Sequence, residues 1–478
     1  MTTSVRPIAF LAFAFFTPFA TAQITPGNLV VVRVGDGAAA LSSAATRYAL
    51  DELTTAGAPV QTIPMPTSAS GPNRACNVAG TATSEGFLTQ SDDGRYLVST
   101  GYDAALGTAS VAGTTSALVN RVVARIAMDE TIDTSTALGD AYSAGNIRSA
   151  TSLDGSQFWT SGSNGSVRYA TLGGTTTTQL STTITNVRVV NVYSGQLYTS
   201  SATGAFQGVN SVGSGLPTTS GQTITLLPGF PTASGPSAYD YFFADANTVY
   251  VADDRTTTAG GIQKWTLSAG TWTLQYTLNP AASTGCRGLT GTVAGGVATL
   301  FATTSTSSNN ALVTVTDTGP ASTFTTLATA GTNMVFRGVR HVRCVSAATE
   351  TFGTATPHSG GTPVIGVQSA FTLGASTGIT ASGMLANDTA VFAAGIRVLP
   401  IDMTVYGAQA GSEYHLFTLD YVGIPTDPTG AATWSISVPN LVSLCGGAMS
   451  WQVLQVDFAM PFALPIAFSQ GLTTRVGI

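Results

Sequence analysis

The chain has 478 residues, of which 9 % are charged, with 18 Lys and Arg against 24 Asp and Glu. A typical soluble protein carries roughly 25 % charged residues, so Ser, Thr, Gly and Ala must cover much of this surface, as in many secreted all-β proteins. The net charge of −6 and the single lysine, Lys264, exclude a basic track for a phosphate backbone and argue against a nucleic-acid partner.

At the N-terminus, Arg6, the apolar run IAFLAFAFF and Ala20-Thr21-Ala22 have the layout of a signal peptide over residues 1–22, cleaved before Gln23. Removing it takes away one Arg and no acid, leaving 17 basic and 24 acidic residues, net −7. No later apolar run approaches the roughly 20 residues of a membrane helix, so no transmembrane segment is expected. The expected location is exported: periplasmic, extracellular or at the cell surface. What remains is long enough for two substantial cores.

The mature chain opens on Leu29–Val34 (LVVVRV), followed by RYALDELTTAG and APVQTIPMP, three strand-like stretches. Six later segments read as first strands of a repeat: Gly86–Ser91, Asn146–Leu153, Asn186–Tyr193, Ser237–Asp245, Arg287–Val293 and Phe336–Arg343. Their starts are spaced by 60, 40, 51, 50 and 49 residues, near the 40–50 expected of four-stranded propeller blades. Five are followed by a second strand, RYLVST, SQFWTS, QLYTSS, TVYVAD and ATLFAT, and the sixth is not. Its missing partner is Leu29–Val34, a second strand without a first, so the last inner strand is expected to complete the first blade and close the ring. The count is six blades, or seven if Tyr102–Asn120 hides one.

Three of the blades carry a turn signal early in the repeat. DDG at Asp92–Gly94, LDG at Leu153–Gly155 and YSG at Tyr193–Gly195 fall between first and second strands, where hairpins need positive φ. They look superficially like the Asp-box of sialidase propellers, but in SLDGSQFW the glycine follows Asp154 one position too early, and turn chemistry is the better reading. The fullest repeat runs from Asn247 to Asn279, ending in the alternation Trp272, Leu274, Tyr276, Leu278.

After Cys344 the composition changes. Residues 345–360, within CVSAATETFGTATPHSGGTP, read as a linker, and residues 361–478 as a β-sandwich with strands at Val364–Val367, Ala390–Ala393, Val398–Met403, Tyr414–Val422, Ala432–Val438, Ser450–Phe458 and Ile466–Thr473. The fold class is therefore all-β: a β-propeller over 23–344 followed by a C-terminal β-sandwich.

The runs RGLTGTVAGGVATLFATTSTSSNNALVTVTDTG (Arg287–Gly319) and ATAGTNMVFRGV (Ala328–Val339) resemble a group of exported bacterial β-propeller proteins, largely uncharacterised in function. The tail, with FGTATPHSGGTP, LPIDMTVYG, DPTGAATWSISVP, WQVLQVD and FSQGLTTRVG, resembles a C-terminal β-sandwich module common on secreted planctomycete proteins. The resemblance implies fold and export and is nearly silent on activity. The tail departs from that module where a cysteine is often found: GTATPHSGG and GSEYHL carry none, which leaves Cys445 in need of another partner.

Four cysteines in an exported chain point to two disulfides with three possible pairings. Cys76 lies in a top loop of blade two and Cys286 begins blade six, the two neighbours of blade one, whereas Cys344 lies at the bottom where the tail begins. The expected bridges are Cys76–Cys286 and Cys344–Cys445.

Binding chemistry is expected on the top face, where first strands begin and where the long loops lie: Gly35–Thr46, Thr67–Glu85, Tyr102–Asn120, Asp253–Gly261 and Thr303–Asn310. Four first strands open with an arginine, Arg148, Arg188, Arg287 and Arg337. Guanidinium forks pair with carboxylates, so these residues form a candidate funnel for an acidic glycan or carboxylate. The alternative is that each bridges neighbouring blades through backbone carbonyls or an acid such as Asp240, because register decides which arginines point inward. Asp253, Asp254 and Arg255, with Asp103 on another top loop, are the acidic group to watch for acid/base or calcium chemistry, although no EF-hand-like spacing is present.

His341, His358 and His415 are scattered, and no H-E-x-x-H, C-x-x-C, G-x-S-x-G or P-loop spacing occurs. No metal site, catalytic residue or cofactor is called for. The reading is an exported, non-catalytic propeller that binds a glycan, cell-envelope component or protein, with the tail aiding attachment or assembly. The alternatives are a propeller hydrolase or lyase acting on polysaccharide or a lactone, and a structural surface-layer component.

Overall fold

The computed structural model describes residues 23–282, 284–441 and 444–478. The expected signal peptide, 1–22, lies outside these residues. The described chain is built of β-strands with two short 3-10 turns, Val111–Gly113 and Met403–Tyr406. No helix among the described residues is long and apolar enough to cross a membrane.

Residues 29–341 form six four-stranded antiparallel sheets. Five run in chain order from an inner to an outer strand: Thr89–Gln90 out to Ile132–Leu138, Ile147–Thr151 out to Thr178–Gln179, Val190–Tyr193 out to Ile224–Leu226, Ala238–Asp245 out to Thr271–Leu278, and Cys286–Ala294 out to Thr325–Thr329. We number these the second to sixth sheets. The first has Val335–His341 innermost, then Leu29–Val34, Tyr48–Leu53 and Pro59–Pro64. Leu29 pairs with His341 and Val34 with Val335. The expected joining of the last inner strand to the first outer ones is thus present in the hydrogen-bond ladder.

Side-chain packing explains why the sheets stand face to face. Each sheet buries residues on both faces, so every neighbouring pair shares an apolar layer. Leu50 and Val122 pack between the first and second sheets, and Val123 and Phe158 between the second and third. Trp159 and Val190 lie between the third and fourth, and Val209, Val249 and Leu289 run through the fourth, fifth and sixth. Val31 and Phe301 then join the sixth to the first. The layers close a ring, and at roughly 25 cal/mol per Å² of apolar surface buried they are its main source of stability. The arrangement is that of a β-propeller.

Turn chemistry sets the hairpins at the lower end of the inner strands. Gly94 has φ +77°, and a Cβ there would stand 2.6 Å from the Cys344 carbonyl oxygen, so only glycine fits. Ser194 and Gly195 both have positive φ, 47° and 73°, as a two-residue type I′ hairpin requires. Tyr102–Asn120 contains the Val111–Gly113 turn and no strand beyond Tyr102. That loop is organised by buried Arg121, whose guanidinium donates to the carbonyls of Ala112, Thr114, Val119 and Gly145.

In the C-terminal part, one sheet has the order Ala348–Phe352, Gly471–Arg475, Ala448–Val456, Thr389–Asp402, Glu413–Pro425, with Ile466–Phe468 also pairing with Ala448–Val456. A second sheet comprises Val364–Val367, Ser376–Ser382 and Ala432–Ser437. Ile365, Ile379 and Ala381 of the smaller sheet share a core with Phe392, Trp451 and Val453 of the larger. Trp434 meets Trp451 edge to face at 5.4 Å.

Two sequence expectations change here. The supposed linker 345–360 contains the strand Ala348–Phe352, paired along its length with Gly471–Arg475. Its residues are exposed except Phe352, so the sequence ATETF carries no apolar alternation to announce it. The strand Ser376–Ser382 is likewise silent, being STGITAS.

Of the expected disulfides, Cys344–Cys445 is formed, 101 positions apart. It ties the end of the ring to the C-terminal sheets, beside hydrogen bonds from Ser346 N to Asp93 O and from Ile478 N to Val345 O. Cys76–Cys286 is not formed; both are free and buried. Cys76 packs between the first and second sheets, its Sγ 3.3 Å from the Tyr48 hydroxyl, whereas Cys286 belongs to the core of the fourth to sixth sheets. The first sheet separates them. Burial pushes the Cys76 thiol up to about 12 and raises Cys286 as well.

Candidate functional site

The four arginines singled out by their strand positions all lie at the top of the inner strands, and each reaches beyond its own sheet. Arg148 Nη1 donates to Asn186 Oδ1 at 2.6 Å and to the Val187 carbonyl at 2.9 Å. Arg188 Nη1 donates to Ser237 Oγ at 3.0 Å and to the Ala238 carbonyl at 2.8 Å. Arg337 Nη2 donates to the carbonyls of Ala79 and Gly80 at 2.6 and 2.9 Å. Arg287 Nε stands 3.3 Å from Asp254 Oδ2. The bridging role therefore accounts for part of this guanidinium chemistry, and Asp240 takes no part in it.

Bridging does not exhaust it. Arg148 and Arg337 are 9 % and 5 % exposed, and Arg148 Nε and Arg337 Nη1 have no hydrogen-bond partner among the described residues. Burial brings both guanidiniums down to about 10, with Arg188 adding repulsion at Arg148 and Glu85 supporting the charge at Arg337. Glu85 is the buried carboxylate of this cluster, 3.9 Å from Arg337 Nη1. Its oxygens already accept from Tyr102 OH, Asn146 Nδ2 and Ala79 N.

Closer to the surface, Arg188 and Arg287 share one aromatic ring. The Arg188 Cζ lies 3.8 Å from the Tyr239 ring centre and the Arg287 Cζ 5.6 Å from it. The negative face of the ring steadies both cations, and each fork keeps N–H groups beyond those used in bridging. The cleft beside Arg287 and Arg337 holds only about 10 Å³, room for about one water. A ligand would have to lie across this mouth and not within it.

The acidic candidates do not assemble into an acid/base pair. Asp253 is fully buried and accepts from Arg255 Nε at 2.9 Å and Gln263 Nε2 at 3.1 Å, which folds the loop back on its own strand. Asp254 faces Arg287. Asp103 lies in the second sheet's loop, where its backbone N–H donates to Asn120 O, and shares no partner with them.

The histidines stay apart. His341 stacks on Phe301 in the ring and burial lowers its pKa. His358 and His415 lie in the C-terminal part, where His358 Nε2 meets the Gly383 carbonyl at 2.8 Å and His415 stands 3.4 Å from Glu413.

Sequence reasoning missed Glu85, Tyr239 and Arg340. Glu85 directly precedes the first inner segment, and Tyr239 sits in SAYDYFF, so position in the repeat was the available signal. Arg340 shares a strand with Arg337 but points down the channel, where it meets Asp240 at 3.5 Å and the Leu88 carbonyl at 2.6 Å.

No protein-family model matches the chain, and no curated protein matches it. Among solved structures it is similar to YCF48 bound to D1 peptide, at 10 % identity over 64 % of this chain and 82 % of that one, with a TM-score of 0.34. It is also similar to dihydro-heme d1 dehydrogenase NirN in complex with DHE, at 11 % identity over 89 % and 79 %, with a TM-score of 0.32. A third is apo AztD from Citrobacter koseri, at 10 % identity over 94 % and 99 %, with a TM-score of 0.27.

Proposed function

We propose that the chain is an exported, non-catalytic, six-bladed β-propeller with a C-terminal β-sandwich, and that its top face binds an acidic glycan or a carboxylate-bearing envelope component. The observation that carries the reading is the pair Arg188 and Arg287 held over one tyrosine ring, with buried Arg148 and Arg337 behind them and Glu85 as the local counter-charge. Positive charge in a partly dry setting favours an arriving carboxylate, and the guanidinium fork suits its geometry. A non-catalytic role is supported by the neighbouring acids, since Glu85, Asp253 and Asp254 are each engaged by donors of the chain itself.

Export is supported by the leader-like first 22 residues and by the Cys344–Cys445 disulfide. We assign the propeller to residues 23–344 and the sandwich to the remainder, with a role in attachment or assembly. The larger sheet of that part exposes Leu399, Phe417 and Tyr421, at 88 %, 64 % and 72 %, an apolar surface suited to contact with another body.

The test is binding of the full mature chain to polygalacturonate and to dextran. Polygalacturonate should bind in a salt-sensitive way and dextran should not. The double variant R188Q/R287Q should weaken polygalacturonate at least tenfold while still unfolding in one cooperative transition, with only a small drop in midpoint. Equal binding of the two polymers, or full binding by the double variant, would overturn the reading.

A further inference from the structure

At the opposite, lower end of the inner strands the ring opens into a cavity of about 420 Å³, within the range of small-molecule sites. Its lining divides by chemistry. One wall is aromatic: Tyr193 is stacked on Phe243 at 4.5 Å with 14° between the rings, and half-buried Phe242 stands beside them. Gly291 makes room for Phe242, since a Cβ there would lie 2.8 Å from its ring. These residues come from neighbouring sheets, the fourth, fifth and sixth, so the wall is a property of the ring and not of one loop.

The facing wall carries two arginines with different duties. Arg340 is 7 % exposed and spent on Leu88 O and Asp240, so its charge is largely answered within the protein. Arg343 is exposed and lines the cavity; its backbone is held by Gln90, while its guanidinium makes one hydrogen bond, Nη2 to the Ser91 carbonyl at 3.1 Å, and forms no ion pair among the described residues. Burial lowers the Arg343 pKa, Asp92 on the rim and Asp93 offset this in part, and Arg340 adds to it. The lower cavity thus offers one free guanidinium fork opposite a flat apolar surface.

We propose that this cavity is a second ligand site, independent of the top face, and that it takes a small organic monocarboxylate with a flat apolar body. The Arg343 fork, with one hydrogen bond and no ion pair among the described residues, can hold one carboxylate bidentately. The body of the ligand stacks on Tyr193 and Phe242. A neutral flat molecule would gain the stacking alone.

The probes are 2-naphthoate and its neutral counterpart 2-naphthalenemethanol, titrated calorimetrically into the full mature chain. Naphthoate should bind saturably at one site and at least tenfold more tightly than the alcohol. R343Q should bring naphthoate down to the alcohol's affinity, and R343K should retain part of the difference. In the wild-type chain, added NaCl should weaken naphthoate and leave the alcohol unchanged, a readout that needs no variant. The top-face variant R188Q/R287Q should bind naphthoate as the wild type does, which separates this site from the one proposed above. No saturable naphthoate binding, equal binding of acid and alcohol, undiminished affinity in R343Q, or loss in R188Q/R287Q would each overturn the assignment.

Discussion

Asp240 Oδ2 and Arg340 Nη2 stand 3.5 Å apart in the middle of the ring, a buried ion pair that ties the fifth sheet to the first. Asp240 is fully buried, and desolvation outweighs the nearby guanidinium and the N–H groups of Leu289 and Tyr241, raising its pKa to about 6. The folded state therefore holds this proton more tightly than the unfolded chain, whose aspartates titrate near 3.9. Between about pH 4 and pH 6 the group makes stability fall as pH rises, by about 3 kcal/mol in total.

His341 and His415, both lowered by burial, act in the other direction, because the unfolded chain takes up their protons first as pH drops below about 6.5. The difference between wild type and D240N isolates the aspartate. Urea unfolding from pH 4 to pH 7 should show the wild type losing about 3 kcal/mol relative to D240N. A difference that does not change with pH would refute it.

Arg337 is a staple between the first sheet and the short strand Val78–Ala79 with Gly80. Replacing it with Gln withdraws charge-assisted bonds from the carbonyls of Ala79 and Gly80, leaving Ala79 O with only the long 3.4 Å bond from Ala82 N. The expected loss is about 2–4 kcal/mol in denaturant unfolding. R188Q, at a more open position, should cost under about 1 kcal/mol. Equal losses would contradict this division between clamp and mouth.

Asp317 gathers three donors: Lys264 Nζ at 2.8 Å, Tyr276 OH at 2.7 Å and Tyr250 OH. Burial by itself would raise its pKa, but these donors prevail and hold the carboxyl below its usual value. Its contribution is present above about pH 4 and fades as pH falls through the folded value. D317N should cost about 2–4 kcal/mol at neutral pH. The gap to wild type should narrow in acid, as followed by thermal unfolding.

The cysteines give a chemical check. In the native chain Cys76 and Cys286 should resist iodoacetamide, since both are buried and their thiols are held protonated. In denaturant without reductant, two cysteines per chain should be alkylated, and peptide mapping should recover Cys344 joined to Cys445. Closing a loop of about 100 residues is worth about 4.7 kcal/mol in the chain-entropy account, so C445S should lower the unfolding midpoint clearly.

Much of the ring is legible in the sequence because a propeller repeats its turn chemistry. The Asp93-Gly94 and Ser194-Gly195 turns and the apolar inner strands recur at blade spacing, so Ala238–Asp245 and Cys286–Ala294 emerge within a residue of their expected starts. Weak strands are not legible, since Ala348–Phe352 is held by its partner's backbone and not by apolar side chains. The arginines were half legible. Their place at the top of the strands follows from the repeat, but whether a guanidinium faces a carbonyl, a ring or water is decided by register shifts such as that between Cys286 and Leu289. Cys76–Cys286 failed for a related reason: adjacency of blades to a common neighbour does not bring side chains through the layer between them.

The first sheet joins Leu29 to His341, residues 312 positions apart. Contacts of such long sequence separation are among the slowest to form. At synthesis rates of roughly 5–20 residues per second, Leu29–Val34 must wait on the order of 15–60 s for its inner partner. Throughout that interval one side of the strand has nothing to pair with, and VVVRV is the kind of segment that pairs promiscuously. The closure that makes the finished ring durable therefore also makes its assembly the step most exposed to misfolding, and a holdase acting before residue 335 emerges would protect it.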